Sequence, residues 1–116
     1  DASEALGAKH QAADVTSPDD LYNPWWDMLY NKGIGTLYYR GKWNLFDQII
    51  FSAGLLDKSQ PTRLHLLTNA VFSRDYLLQT EGKYKGAPKR TTAGGTWLNG
   101  YSDHLPTQIF LVKNVK

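Results

Sequence analysis

The chain has 116 residues with 13 Lys+Arg, 11 Asp+Glu and a formal charge of +2 at pH 7, a size that fits one domain at most and a balance that excludes duplex binding by charge alone. Its 41% hydrophobic and 13% aromatic content supports a packed core and excludes a disordered chain, while no stretch approaches the ~20 apolar residues of a membrane helix. Cysteine is absent, which excludes disulfides, cysteine-ligated zinc and thiol catalysis and leaves the compartment open. The first residue is Asp1, with no Met and no signal-like segment, so the chain is expected to have been cut from something longer.

Residues 2–6 favour a helix capped by Gly7, one that would begin ahead of Asp1. Residues 9–20 read as a surface loop. Asn23 then offers an N-cap and Pro24 a first helical residue, leading into a short helix from Trp25 to Tyr30 that stops near Gly33. Thr36–Arg40 and Trp43–Ser52 read as strands joined through Gly41-Lys42. In the second, Asp47 shares a face with the apolar Leu45, Ile49 and Phe51. Leu64–Phe72, apolar on both faces, is expected to be an interior strand with His65 a core histidine; His10 is read as a loop residue. Ser73–Leu78 follows as a helical turn. Glu81–Gly100, with five glycines, reads as a long loop, and Thr107–Val112 as a last strand. Neither a repeat nor a linker divides the chain, and the element pattern is α+β.

Nine of the eleven carboxylates are Asp, and the glutamates are Glu4 and Glu81 alone. An acid/base or metal site therefore draws on Asp, Asn and the three histidines, His10, His65 and His104. Ser102-Asp103-His104 is the chemistry-bearing triplet. Neighbouring side chains point apart, so its members need partners elsewhere in the chain. A carboxylate and an imidazole at the mouth of a strand can serve as a metal ligand and a contact for a substrate anion, or Asp103 simply closes a turn and His104 is a surface residue. Asp47, set among apolar residues, requires a partner: either a histidine that it orients, or a structural ion pair or bonds from backbone amides.

The order Gly41-Lys42-Trp43-Asn44-Leu45-Phe46-Asp47-Gln48-Ile49-Ile50-Phe51-Ser52, then Tyr101-Ser102-Asp103-His104-Leu105-Pro106 and a closing apolar strand, resembles the C-terminal part of the endonuclease/exonuclease/phosphatase (DNase I-like) superfamily, particularly bacterial members with a Tyr-Tyr-Arg-Gly-Lys-Trp-Asn segment. The resemblance spans residues 1–116 and implies a partial domain lacking its N-terminal half: roughly half of a four-layer α/β/β/α sandwich with mostly antiparallel mixed sheets. It implies that His104 contacts the scissile phosphate, that Asp47 holds His104, that Asp103 lies near a divalent metal, Mg2+ or Mn2+, and that Trp43 and Asn44 approach the substrate. On this reading Ser102 shapes the loop. Asp47 and His104 should then lie within ~2.6–3.2 Å of each other.

Two family features are missing. Neither Glu4 nor Glu81 has the context of the family's metal-binding glutamate, and no Gly-Asp-x-Asn signature is present; Asp1-Ala2-Ser3 resembles the segment just after it. The implied function is therefore that of a C-terminal piece of a metal-dependent phosphoesterase, inactive in isolation. Its substrate would be a phosphoester of a small molecule, a lipid headgroup or a nucleic acid, and an uncovered sheet face would allow self-association. The alternative is a non-enzymatic, aromatic-rich binding module for carbohydrate or protein. Trp25, Trp26, Tyr30, Tyr38 and Tyr39 would be its stacking platform, unless they pack in the core. Lys83, Lys85, Lys89 and Arg90 are a solvated loop or a contact for a polyanion.

Overall fold

The computed structural model describes residues 2–115; Asp1, part of the Asp1-Ala2-Ser3 comparison, lies outside them. Ala2–Gly7 form a 3-10 helix. Asn23 fixes the start of helix α1, Trp25–Tyr30, because its Oδ1 accepts the Trp25 N–H at 3.0 Å and so satisfies one of the donors that a helix start leaves orphaned. At the other end Gly33 takes φ 65°, which glycine adopts without steric cost. There the Gly33 N–H donates to the Leu29 carbonyl at 3.1 Å and the Ile34 N–H to Met28 at 2.9 Å.

Among the described residues the strands form five antiparallel pairs. Strand β1, Leu21–Tyr22, pairs with β4, Phe51–Ser52. Strand β2, Leu37–Tyr39, pairs with β3, Lys42–Asn44, through a hairpin. Strand β5, Thr62–Leu64, meets β10, Leu111–Lys113, and β6, Ala70–Val71, meets β9, Thr107–Gln108. Finally β7, Thr92–Ala93, pairs with β8, Thr96–Trp97. Helix and antiparallel strands mix along the chain, which is an α+β composition.

Among the described residues two clusters make the core. Tyr22, Phe51 and Leu64 form one; Trp25, Met28 and Leu45 form the other. Ile49 and Ile109 pack against both, so the segments that carry them join the two halves. The molecule measures 51 × 35 × 22 Å with a radius of gyration of 16.8 Å, against about 13 Å for a compact chain of about this length. It exposes 7937 Å², where a compact monomer of this mass exposes roughly 6,400 Å². The chain is an open slab. No helix among the described residues is long and apolar enough to cross a membrane.

Several elements differ from the sequence expectation. The hairpin turns at Arg40-Gly41, one residue early, with both at positive φ (49° and 80°), the pattern of a two-residue turn that matches strand twist. The strand expected over 43–52 is interrupted after Asn44, and residues 45–50 belong to no ladder. Leu64–Phe72 is not an interior strand: it splits into β5 and β6, and between them His65 is exposed, as are Leu66 and Leu67. The 81–100 loop contains the β7–β8 hairpin. The expected helical turn after Ser73 is a 3-10 turn, Asp75–Leu77.

Asn23 is fully buried, and besides capping α1 it donates from Nδ2 to Gln48 Oε1 at 2.8 Å. Asn23→Ala removes both bonds and is expected to destabilise the fold by about 1–3 kcal/mol in urea unfolding; a loss under ~0.5 kcal/mol would show that α1 is held by packing alone.

Candidate active site

Thr36, fully buried, is bonded on three sides. Its N–H donates to the Asn44 carbonyl at 2.8 Å and its carbonyl accepts the Leu105 N–H at 2.7 Å. Its Oγ1 accepts the Phe46 N–H at 3.3 Å. One residue thus ties the segment after β3 to the segment after Ser102-Asp103-His104. The approach demands glycine at position 35, where a Cβ would come within 2.6 Å of the Asn44 carbonyl oxygen.

Residues 45–50 lack ladder bonds and are held by side chains instead. Gln48 Nε2 donates to the Leu45 carbonyl at 2.7 Å and Trp25 Nε1 to the Ile49 carbonyl at 3.0 Å. With Phe46 bound to Thr36 and Leu45 in the core, both flanks of Asp47 are fixed. On the other segment, Ser102 Oγ accepts the His104 N–H at 3.0 Å, a local turn bond that gives Ser102 a loop-shaping place. His104 bridges to Leu37 of β2, and the Pro106 carbonyl accepts the Phe72 N–H at 2.7 Å. Gly100, just upstream, passes so close to Lys89 that a Cβ there would overlap its carbonyl.

These anchors bring His104 Nδ1 to 2.7 Å from Asp47 Oδ2, between residues 57 apart in sequence. The two side chains are 35% and 37% exposed, so the pair lines the surface. An ionised carboxylate only accepts, so the proton in this contact sits on Nδ1 and leaves Nε2 as the ring atom for a ligand. The Phe46 ring stands 6.3 Å from the imidazole, centroid to centroid.

The family model described as Endonuclease/Exonuclease/phosphatase family matches residues 1–113. The chain belongs to that family. No curated protein and no solved structure matches it.

The other residues singled out in this endonuclease/exonuclease/phosphatase chain fall into separate places. Asn44 and His104 both oppose Leu37, whereas Trp43 opposes Tyr38. Directly opposed residues share a face, so Asn44 stands on the His104 side and Trp43 on the other, where its ring meets Tyr38 edge-on at 5.4 Å. Asp103 is exposed and lines a neighbouring cleft. His10 stacks on Trp26 at 4.3 Å beside Glu4, 3.5 Å away. The aromatic residues of the alternative binding-module reading are dispersed. Trp25 is in the core, Trp26 lies between His10 and Tyr30, and Tyr38 packs on Trp43.

Among the described residues no three acidic or imidazole groups gather into a metal-holding cluster. Asp103 alone falls short of the several oxygen ligands that Mg2+ takes, so these residues do not by themselves form a metal centre. Of the residues that position Asp47, Thr36 had no motif attached to it, and Gln48 lay within the Gly41–Ser52 segment with no role of its own to read.

With the ring neutral, its 15N shifts should report Nδ1–H as the major His104 tautomer. Asp47→Ala should return Nε2–H to predominance, and an unchanged tautomer in that variant would mean the 2.7 Å contact does not orient the ring.

Proposed function

We propose that this chain carries the imidazole–carboxylate part of a phosphoesterase centre that hydrolyses phosphate esters by in-line attack of water. The observation that carries the reading is the 2.7 Å contact between His104 and Asp47 in a chain of this family. Protonated at Nε2, His104 donates to a non-bridging oxygen of the scissile phosphate and stabilises the charge that grows there. Asp47 keeps Nδ1 protonated and the ring aimed. Asn44, on the same face, supplies an amide donor for a second phosphate oxygen.

The family resemblance further calls for a divalent cation, magnesium or manganese, at Asp103. Its other ligands and the groups that position the water would come from residues outside this chain. The same reading makes the slab about half of a four-layer sandwich. The surface excess supports it, as do the exposed Leu66, Leu67, Phe110 and Leu111, which a second layer would cover. Substrates in reach of this chemistry are small phosphoesters, lipid headgroups and nucleic acid.

The 116-residue chain alone should hydrolyse bis(p-nitrophenyl) phosphate at the background rate and self-associate at high concentration through its uncovered apolar side chains. Joined to its natural preceding sequence it should do so with magnesium and stop with EDTA. There His104→Ala should lower kcat by about 10²–10⁴-fold with the circular dichroism unchanged. Asp47→Asn should lower it less. Turnover that survives His104→Ala removes the pair from the mechanism.

A further inference from the structure

Strand β10 forms one side of the ladder it shares with β5, and the register decides which way its peptide groups face. The His65 N–H donates to the Phe110 carbonyl at 2.9 Å and the Asn114 N–H to the Pro61 carbonyl at 2.8 Å. Bonded and non-bonded pairs alternate in an antiparallel ladder. The pairs between these two ends, Leu64 with Leu111 and Thr62 with Lys113, are therefore non-bonded, and their N–H and C=O groups point outward. On β5 the 3-10 turn Ala53–Leu56 packs against the strand, with Leu55 and Leu56 on the cluster that holds Leu64. On β10 all three residues are exposed.

An open edge is normally blunted by charge, proline or a bulge. From Thr107 to Val112 the chain carries neither charge nor proline. Phe110, Leu111 and Val112 are exposed apolar side chains beside outward peptide groups, the combination that templates another strand. Two antiparallel copies of β10, bonded through their outward residues, can centre on Leu111, Val112 or Lys113. Centring on Lys113 sets two ammonium groups opposite each other, which is unfavourable. Centring on Val112 sets each Leu111 against a lysine. Centring on Leu111 sets leucine against leucine and each Phe110 against a Val112, an aromatic and β-branched pair of the favourable kind.

We propose that a second copy of this chain adds antiparallel to β10 with the two-fold axis at Leu111, making one four-stranded sheet in the order β5, β10, β10, β5. This gives the self-association stated above a strand and a register. It rests on no hydrolytic residue, since His104 bonds to Asp47 and bridges to Leu37.

Sedimentation of the 116-residue chain over rising concentration should show a monomer–dimer equilibrium, with the Leu111 amide exchanging more slowly as dimer forms. In a mixture of labelled and unlabelled chains, isotope-filtered NMR should find Phe110 against Val112 of the second copy. Leu111→Pro removes an outward N–H and no bond of the β5–β10 ladder. Leu111→Lys keeps the backbone intact and sets like charges face to face. Each should raise the dimer dissociation constant by about tenfold or more with the circular dichroism unchanged, and Leu111→Lys decides the matter if the proline variant does not fold. Leu67→Asn removes an exposed apolar side chain at φ 63°, a conformation that asparagine accepts, and should dimerise as the parent does. A monomer at every concentration would leave the edge to a strand of another polypeptide and overturn the proposal. A dimer indifferent to Leu111→Lys, or one lost in Leu67→Asn, would do the same. Background hydrolysis by the longer protein would remove the phosphoesterase reading and leave this one standing.

Discussion

The structure turns on the three hydrogen bonds of Thr36. A buried hydroxyl or peptide group without a partner costs about 1–3 kcal/mol, so a buried threonine with donors and acceptors on three sides admits few alternative arrangements of its neighbours. The neighbours here are Asn44, Phe46 and Leu105. Phe46 adjoins Asp47 and Leu105 adjoins His104, and the distance between the two candidate site residues is thereby set through the interior. A valine would fill the same volume and leave the Phe46 N–H unsatisfied.

This arrangement also explains how a slab of two-stranded ladders stays ordered. An isolated pair of short strands is marginal in water. Here the ladders are joined by side chains that bond to distant backbone. Asn23 reaches Gln48, Trp25 reaches Ile49, and Thr36 reaches Phe46. Each of these bonds ends in residues 45–50, the segment that belongs to no ladder. Irregular backbone at this point frees Asp47 from the strict alternation of a strand. Its carboxylate can then turn to His104 although Leu45 and Ile49, two residues away on either side, pack into the core.

What the sequence disclosed follows from how local each signal was. Asn23-Pro24 marked the start of α1 because a cap acts within two or three residues. Asp47 and His104 were legible through resemblance, and through the oddity of an aspartate among apolar side chains. Leu64–Phe72 misled because a run of apolar residues carries no record of which layer covers it. In this chain Leu66 and Leu67 have no layer over them. Thr36 was invisible because its partners lie 8, 10 and 69 positions away and a lone threonine has no pattern. Arg40 was visible as a letter but not as an anomaly until the turn was seen to close one residue early.

The remaining question is why the His104–Asp47 contact exists at all. A pair exposed by about one third gains little from its charges, since ion pairs at the surface contribute about 0–1 kcal/mol. Stability therefore gives weak reason for the apparatus around it: the glycine required at position 35, the buried Thr36, and the Ser102 turn that sets the His104 backbone. All three are expenditure on position. The interaction they secure does better at fixing a ring than at holding a fold, because one carboxylate oxygen at 2.7 Å from Nδ1 settles both where the proton sits and where Nε2 points. That is the use chemistry makes of a histidine, and it is the physical ground on which the pair is read as a working part of the molecule.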